Sequence, residues 1–485
     1  MPEAQRLLFV ASEVYPLVKT GGLADVAGSL PAVLQEEGVD VRILLPAYRD
    51  VLDKTGPLPE VARVELAGEQ VSVLETTLPG TQVTTWLLSH AAFSERAGNP
   101  YHDENGNPWE DNAERFMCLS RLAAAIALGD AAMDWTPDVL HCNDWHTGPA
   151  IALAHQAVQR PRTVFTIHNL AHMGMFDQAT FTRLQLPENL WSGDGLEFYD
   201  QLCFIKGGLV FADWVTTVSP TYADEICYSP GGMGLEGLLS HRRGHLVGIL
   251  NGIDESVWNP ETDPLLTENY SADNLAGKLA NKRALQRELG LECSDEQLLF
   301  GFVGRLAEQK GLDLLLPLLD ELLRLPAQLV VLGTGDPELE RQLEELAAHN
   351  EGRTAVILAH NEAMAHRIEA SADVFLMPSL FEPCGLNQMY SLRYGTLPLV
   401  RAVGGLADTV TDASEENLAG GTATGFVFAE PEVESLRSAL QRALQLWPDK
   451  DRWHRMQMTA MAEDFSWQRS ALQYLELYLP DHSTK

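Results

Sequence analysis

The chain has 485 residues, which is too long for a single hydrophobic core and predicts two or three domains. Hydrophobic residues make up 45% of it, an ordinary share for a globular protein. It carries 34 Lys and Arg against 68 Asp and Glu, a formal net charge of −34. Because so acidic a surface repels nucleic acid and anionic membrane, neither is an expected partner.

The cysteine pattern and the apolar segments indicate a compartment. The six cysteines form no C-x-x-C pair and no tight cluster, which argues against a disulfide framework or structural zinc and favours a reducing environment. The first apolar run, Leu7 to Ala11, has only the length of a strand, too short for a leader or a membrane span. We therefore expect a cytoplasmic protein.

The first half of the chain opens as a βαβ unit. A strand at Arg6 to Ala11, a helix at Leu23 to Glu36 and a strand at Val39 to Leu45 are predicted from their apolar periodicity. A loop rich in Gly, Asn, Pro and Asp follows at residues 98–111. The other predicted elements are strands at 71–77, 83–88, 139–143, 162–167 and 214–218, and a helix at about 113–128.

After a seam at residues 246–260 the same pattern starts again. Strands are predicted at 298–303, 329–332, 355–358, 374–377 and 397–400, each followed by a helical or Gly-rich stretch. Two runs of one pattern predict an α/β chain with two doubly wound domains. Ligands of such sheets bind beyond the carboxyl ends of the strands, so the interdomain cleft is the expected site. The word GGLAD, at 21–25 and 404–408, suggests similar Gly-rich loops in both halves.

The stretch SLFEPCGLNQ, Ser379 to Gln388, lies between an apolar run and a helical pattern at 389–394. A strand that runs into a Pro/Gly turn and a helix presents backbone N–H groups and a positive dipole end to phosphate. Glu382 in that turn suits developing positive charge, and the combination favours cleavage of a sugar–diphosphate bond. The alternative is a structural carboxylate that caps the helix.

Two further Gly-rich turns carry cations. In KTGGL, Lys19 offers a mobile point charge where glycines permit close backbone approach. In GRLAEQKG, Arg305 and Lys310 can clamp two oxygens of one diphosphate. The alternatives are a solvated lysine and a surface pair, although helix N-termini usually prefer acids. No P-loop motif occurs, and Gly333-Thr-Gly335 lacks the third glycine of a dinucleotide fingerprint, which disfavours a dehydrogenase.

Together with DWH (144–146) and TIHNL (166–170), these stretches resemble, in chain order, the bacterial glycogen synthases and plant starch synthases. The resemblance runs from about residue 7 to 470. It implies a GT-B architecture, in which two Rossmann-like domains face a deep interdomain cleft. The implied division is an acceptor-side domain at 1–246, a hinge at 247–260, a donor-side domain at 261–455 and a C-terminal segment at 456–485, whose helix, about 453–479, crosses back to the first domain.

The resemblance also implies the activity: transfer of glucose from ADP-glucose to the non-reducing end of glycogen or another α-1,4-glucan, with retention at the anomeric carbon and with no metal or redox cofactor. Glu382 is expected to contact sugar hydroxyls and support an oxocarbenium-like transition state. The implied catalytic residues are Glu382, His168, Arg305 and Lys310. The implied binding residues are Lys19, Gly21, Gly22, Asp25, Tyr101, Asp144, Asn169, Asn251, Cys384, Gly385 and Leu386.

Several of these residues have other interpretations. His168 at a strand end is often a packed residue, and Asp144, expected to orient the acceptor hydroxyl, is otherwise a salt-bridged loop aspartate. His168 and His172 have i, i+4 spacing, but no H-E-x-x-H motif supports a metal. Cys384 lies near a helix start, where a thiol pKa can fall, so a catalytic thiolate is an alternative; it would need a histidine base at hydrogen-bond distance. Tyr101 is expected to stack on a sugar face.

One departure from related transferases bears on mechanism. Many carry a second glutamate eight positions after the first, where this chain has Tyr390. A double displacement would need a nucleophile that the sequence does not offer, so front-face transfer is favoured. Two alternative functions stay open: a retaining transferase that uses UDP-glucose and a small sugar, and a non-catalytic protein that binds glucan or nucleotide sugar.

Overall fold

The computed structural model describes residues 4–479. The chain divides into two compact units, Met1–Gly252 with Trp467–Lys485, and Ile253–Ser466. Residues 1–3 and 480–485, which the expected first domain and C-terminal segment include, lie outside the described range.

The first unit is built on a nine-stranded sheet and also contains a three-stranded one. Its strands are β1 (Arg6–Val10), β2 (Asp40–Pro46), β3 (Glu60–Leu66), β4 (Glu69–Thr77), β5 (Thr84–Ser89), β6 (Val139–Asn143), β7 (Arg162–Ile167), β8 (Met175–Phe176), β9 (Glu197–Phe198), β10 (Gln201–Cys203), β11 (Trp214–Thr217) and β12 (Leu246–Gly248). Its helices before the second unit are α1 (Gly22–Glu36), α2 (Arg49–Thr55), α3 (Ala91–Ser94), α4 (Asn112–Leu128), α5 (Gly148–Ala154), α6 (Gln178–Arg183), α7 (Ile205–Phe211), α8 (Pro220–Glu225) and α9 (Glu236–His241).

The order of the large sheet is β12-β11-β7-β6-β1-β2-β5-β4-β3. Its pairs are parallel except those of β4, which runs antiparallel to β3 and β5. In β1, residues 7–10 are fully buried, as continuous apolar runs in parallel sheets require. The chain leaves β1 toward β2 and returns to its other side at β6, so the switch point of the sheet lies between β1 and β6.

The second unit has a six-stranded sheet, in which every pair is parallel. Its strands are β13 (Leu298–Val303), β14 (Ala327–Leu332), β15 (Thr354–Ile357), β16 (Val374–Met377), β17 (Leu397–Arg401) and β18 (Phe426–Phe428). Its helices are α10 (Ala276–Glu288), α11 (Leu312–Leu322), α12 (Pro337–His349), α13 (Glu362–Ser371), α14 (Asn387–Arg393), α15 (Gly404–Thr409), α16 (Glu415–Gly420), α17 (Val433–Leu446) and α18 (Lys450–Met461).

The order of this sheet is β15-β14-β13-β16-β17-β18, so its switch point lies between β13 and β16. A buried ion pair lies at the amino-terminal ends of β13 and β16. Asp373 accepts hydrogen bonds from Lys282 Nζ at 2.6 Å and from the backbone N–H of Leu299 at 2.8 Å. The expected class, an α/β chain with two Rossmann-like units, is confirmed.

The last helix, α19 (Trp467–Tyr478), belongs to the first unit, where it packs on α1 and β7. Tyr478 anchors it through a 2.7 Å hydrogen bond between its hydroxyl and Nδ1 of His141. The sequence predicted one helix over about 453–479, and the structure differs by ending α18 at Met461. Asp464 accepts a hydrogen bond from the backbone N–H of Ser466 at 2.9 Å, and this local turn competes with helical bonding.

Most predicted strands of both halves are confirmed to within two residues, and 139–143, 162–167, 298–303 and 374–377 match the observed bounds. The sequence did not predict β3, β12, β18 or the three-stranded sheet. Apart from β3 these are two or three residues long, and β3 is an edge strand with exposed charges, so none carries a long apolar pattern.

The two GGLAD words do different things. A Cβ added at Gly21 or Gly22 would meet no atom within 4 Å. At Gly404 it would lie 2.0 Å from the carbonyl oxygen of Glu382, and at Gly405 it would lie 2.1 Å from that of Cys384. The expected likeness of the two loops is therefore wrong at the level of packing: the first is open, and the second presses against the backbone of the Glu382 turn.

This contrast gives a matched pair of substitutions. Gly405→Ala forces a methyl group onto a backbone carbonyl and should lower the free energy of unfolding by about 2 kcal/mol or more. Gly22→Ala, at the first position of α1, should be neutral or slightly stabilising because alanine has the higher helix propensity. Guanidinium unfolding of both variants measures the difference. Equal stabilities would contradict the packing described here.

Candidate functional site

In the second unit, the loops that leave β13 and β16 lie side by side because these strands are neighbours. The backbone N–H of Leu380 donates to the carbonyl of Gln309 at 2.8 Å, and Nε2 of Gln309 donates to the carbonyl of Phe381 at 3.2 Å. Gly311 has φ 70°, and a Cβ atom at this position would lie only 1.8 Å from the carbonyl oxygen of Pro378. The two loops are thus locked together.

This lock brings three of the predicted catalytic residues into one region. Nζ of Lys310 lies 2.6 Å from Oε2 of Glu382, which also accepts a hydrogen bond from Oγ of Ser379 at 3.1 Å. Glu382 is buried, with 7% of its surface exposed. Arg305, on the same loop as Lys310, is exposed and forms no ion pair with any residue between 4 and 479. The region therefore holds one neutralised cation and one open cation.

The backbone of Glu382 is held from the other side. The N–H of Gly405 donates to the carbonyl of Glu382 at 3.2 Å, and Nε of Arg401 donates to the carbonyl of Ser379 at 3.0 Å. Because α14 begins only after Leu386, Glu382 does not cap that helix, and the structural-cap interpretation is wrong. The carboxylate is directed to Lys310 instead.

The three residues after Pro383 form the tight part of this turn. Cys384 is buried, and its carbonyl accepts a hydrogen bond from Nε2 of Gln388 at 3.0 Å. Gly385 has φ 72°, and a Cβ there would lie 2.4 Å from Oε1 of Gln388. Leu386 is the N-cap residue of α14. These contacts explain the shape of the turn, and the predicted binding roles of the three residues stay predictions.

In the first unit, the KTGGL loop follows β1 and leads into α1. Nζ of Lys19 is paired with Oδ1 of Asp25 at 2.7 Å, and both side chains remain partly exposed. The backbone N–H groups of Thr20 and Gly21 do not point to an open site, because both donate to the carboxylate of Glu13. The loop therefore offers a side-chain cation more than free backbone amides.

Asp144 and His168 meet where β6 and β7 end. Oδ1 of Asp144 accepts a hydrogen bond from the backbone N–H of His168 at 2.7 Å. No cation of the described chain pairs with Asp144, so the salt-bridge interpretation is wrong. Burial raises the pKa of Asp144 to about 7, against the lowering effect of the N–H groups of His168 and Asn169. The residue also has φ 56°, a strained conformation typical of functional sites.

The ring of His168 has a defined tautomer. Nδ2 of Asn143 donates to the carbonyl of Val10 at 3.0 Å, so Oδ1 of Asn143 accepts from Nε2 of His168, also at 3.0 Å. Burial lowers the pKa of His168 to about 3, so the ring is neutral near pH 7. Nδ1 therefore carries a lone pair and can accept a hydrogen bond from a hydroxyl group.

Tyr101 joins the loop after β1 to the end of β6. Its ring stacks on His146 with centroids 4.8 Å apart, and its hydroxyl bonds with Ser12 at 2.9 Å and with Glu13. His146 thus covers one face of the Tyr101 ring. Stacking on a sugar stays a prediction and would use the other face. Burial, together with the charge of Glu13, raises the pKa of Tyr101 well above its ordinary value.

The two predicted asparagines have different surroundings. Oδ1 of Asn169 accepts a hydrogen bond from the backbone N–H of Ala171 at 3.0 Å. Asn251 is buried, and its side-chain oxygen has no hydrogen-bond partner in the part of the chain that the structure describes.

Over residues 4–479, no three His, Cys, Asp or Glu side chains come together in a way that could hold a metal ion. His141 instead bonds with Tyr478 and, through Nε2 at 2.6 Å, with Thr166.

Between residues 4 and 479, no helix has the length and apolar character needed to cross a membrane.

Comparison with known proteins covers both units. Residues 6–241 match the family model of the starch synthase catalytic domain, and residues 290–457 match that of glycosyl transferases group 1. Glycogen synthase 1 of Methylococcus capsulatus is 53% identical, over 98% of this chain and 96% of its own length. Glycogen synthase of Thioalkalivibrio sulfidiphilus is 50% identical, over 98% and 99%.

The solved catalytic domain of starch synthase IV from Arabidopsis thaliana, bound to ADP and acarbose, superposes with a TM-score of 0.88 at 33% identity, covering 98% of this chain and 99% of that one. This chain belongs to the glycogen synthase and starch synthase family. It is a glycosyltransferase. Sucrose-phosphate synthase from Thermosynechococcus elongatus, at 17% identity and a TM-score of 0.57, shares the fold.

Within this family member, sequence reasoning missed residues that support the predicted ones. Glu13, Asn143 and Arg401 each bond to the backbone or ring of a predicted site residue or its loop. The sequence feature that could have identified them is their position: each is a polar residue at or just beyond the carboxyl end of a strand, β1, β6 or β17. Without the strand order, nothing marked these three above other polar residues.

The pKa of Asp144 predicts a pH dependence of stability. The pKa of Asp144 is about 7 in the folded protein, above the ordinary 3.8. Protonated Asp144 therefore adds its full stabilisation of the folded state below about pH 4, and this stabilisation is lost as the pH rises through 7. Asp144→Asn removes this loss. The stability of the wild type relative to the variant should fall by up to about 4 kcal/mol between pH 4 and pH 8.

Urea unfolding of both proteins across this pH range measures the difference. Asp50→Asn, at an exposed position of the same unit, is the control and should leave the pH profile unchanged. Parallel profiles for the wild type and Asp144→Asn would show that the carboxyl group titrates at its ordinary value.

Proposed function

We propose that this protein is a glycogen synthase, which transfers glucose from ADP-glucose to the non-reducing end of an α-1,4-glucan with retention at the anomeric carbon. The observation that carries the proposal is the ion pair of half-buried Lys310 with buried Glu382, 2.6 Å apart, at the switch point of the second unit, with the open cation Arg305 on the same loop. The glycogen synthases that match nearly the whole chain support the substrates.

The choice of donor rests on the cations that could hold a diphosphate. A diphosphate is doubly charged, and a chain of net charge −34 must hold it with locally placed cations. Lys19, Arg305 and Lys310 are the cations proposed for this role. The starch synthase of similar structure was solved with ADP bound, which supports ADP-glucose as the donor here.

In the proposed reaction the bond between C1 of glucose and the diphosphate oxygen breaks, and a bond between C1 and the acceptor 4-hydroxyl oxygen forms on the same face. The hydroxyl proton passes to the leaving diphosphate. Arg305 and Lys310 stabilise the negative charge that builds on the leaving group, as preorganised cations do at such sites. A group of this kind is worth roughly a hundredfold or more in rate.

Glu382 is proposed to face the sugar while its other interactions hold it in place. Its carboxylate, buried and bonded to Lys310 and Ser379, is set to receive hydrogen bonds from hydroxyls of glucose and to stabilise positive charge near C1. A second carboxylate at position 390 is ruled out. Tyr390 stands there, and its ring stacks on Trp258 with centroids 3.8 Å apart. This favours front-face transfer over double displacement.

The first unit is proposed to supply neutral hydrogen-bonding groups to glucose and to the acceptor. His168 is uncharged near pH 7 because burial lowers its pKa to about 3, so Nδ1 can accept from a sugar hydroxyl. Asp144, with a pKa of about 7, can either accept from the acceptor hydroxyl or donate to it. Neutral glucan feels no repulsion from the acidic surface, whereas nucleic acid and anionic membrane do.

We further propose the cytoplasm as the location. Its support is that no disulfide bond occurs in the described range, which contains six cysteines, Cys118, Cys142, Cys203, Cys227, Cys293 and Cys384. No metal or redox cofactor takes part in the proposed reaction.

The decisive assay measures ADP release and glucose incorporation together. With ADP-glucose and glycogen, we expect the two to match one for one, and we expect ADP release to fall at least tenfold when glycogen is omitted. UDP-glucose in place of ADP-glucose should lower kcat/KM by at least about tenfold. Preference for UDP-glucose would contradict the donor assignment, and donor binding without turnover would contradict catalysis.

A further inference from the structure

Glu13 is a buried carboxylate at the exit of β1 that the proposed reaction does not use. Its exposed surface is 3% of the maximum, and no cation in the described range forms an ion pair with it. A buried charge without a counter-ion persists only when hydrogen bonds satisfy it. Its position next to the KTGGL loop shows where those bonds come from.

Four donors surround this carboxylate. Oε2 accepts from the backbone N–H groups of Thr20 and of Gly21, the latter at 3.1 Å. Oε1 accepts from Oγ1 of Thr20 at 2.6 Å and from the hydroxyl of Tyr101 at 2.5 Å. A carboxylate has about four acceptor sites, so these donors saturate it. Three of the four belong to the loop that carries Lys19.

The arrangement settles which part of the loop is free to meet an anion. The amides of Thr20 and Gly21, which precede the first residue of α1, are occupied by an anion that the protein itself supplies. A diphosphate that approached them would displace Glu13 and meet its negative charge. Lys19, which is exposed and whose Nζ pairs with Asp25 at 2.7 Å, is the loop's remaining cation.

The same carboxylate ties the loop to the neighbouring strand end. Tyr101 bonds to Glu13 and to Ser12, and Oγ of Ser12 lies 3.2 Å from Nδ1 of His146. His146 belongs to the turn that begins at Asp144, so the network spans the exits of β1 and β6, the switch point of this sheet. Movement of the loop is therefore linked to the residues proposed to contact the acceptor.

We propose that Glu13 is a positioning residue for the donor: it holds the KTGGL loop in one conformation through Thr20, Gly21 and Tyr101, so that Lys19 is the group of this loop that presents charge to the diphosphate. The part of this inference that concerns the donor rests on the proposed function. The part that concerns the conformation of the loop does not. The role needs hydrogen-bond acceptors at this position more than a net charge, which separates it from acid–base catalysis.

The first test follows the loop without any substrate. Hydrogen–deuterium exchange in peptides that cover residues 18–23 should be at least about tenfold faster in Glu13→Ala than in the wild type, because the N–H groups lose their acceptor. Glu13→Gln, which keeps one acceptor oxygen, should show a smaller increase. Glu36→Gln, an exposed carboxylate on α1, is the control and should match the wild type.

The second test uses steady-state kinetics with ADP-glucose and glycogen. Glu13→Ala should raise KM for ADP-glucose at least about tenfold and KM for glycogen less than about threefold. Glu13→Gln should restore KM for ADP-glucose to within about threefold of the wild type. If Glu13→Ala does not fold, Glu13→Asp, shorter by one methylene group, replaces it in both tests.

Each result decides the matter. Unchanged exchange in Glu13→Ala, faster exchange without a change in donor KM, or equal impairment of Glu13→Gln and Glu13→Ala would overturn the proposal. If the wild type turns over no donor, the proposed function fails on its own. Calorimetric titration with ADP then replaces KM, and ADP affinity that is at least about tenfold weaker in Glu13→Ala would support the positioning role.

Discussion

The ion pair between Lys310 and Glu382 is the constraint on which the second unit's candidate site depends. It joins two loops that are 72 residues apart in sequence and that meet only because β13 and β16 are neighbours in the sheet. Gly311 and the Gly404–Gly405 turn provide the close backbone packing that brings the carboxylate and the ammonium group to 2.6 Å. In the proposed function, a donor diphosphate that reaches Lys310 shares its ammonium group with this carboxylate or replaces the carboxylate there.

The first unit uses a different kind of electrostatics at the corresponding place in its sheet. Its polar groups at the ends of β1, β6 and β7 are buried, and this burial raises the pKa of Asp144 and lowers the pKa of His168. In the proposed function, these groups form hydrogen bonds with neutral sugar hydroxyls. In a protein of net charge −34, the proposed function assigns the anionic donor to a few cations, Lys19, Arg305 and Lys310.

The sequence predicted the α/β class, most strands and the family, because continuous apolar runs and Gly-rich turns are local signals. It could not predict which strands are neighbours, since strand order depends on packing across long stretches of chain. For that reason Glu13 escaped notice, Glu382 was open to interpretation as a helix cap, and the two GGLAD words looked alike. The break between α18 and α19 was missed because a five-residue turn leaves the apolar periodicity on both sides intact.

A double-mutant cycle on Lys310 and Glu382 tests the central claim most directly. Single-turnover transfer rates with ADP-glucose would be measured for the wild type, Lys310→Met, Glu382→Gln and the double variant. If the pair acts as one unit, each single change should cost about a hundredfold or more, and the double change should cost little beyond either. Losses that multiply, so that the double variant falls by the product of the single effects, would contradict the account.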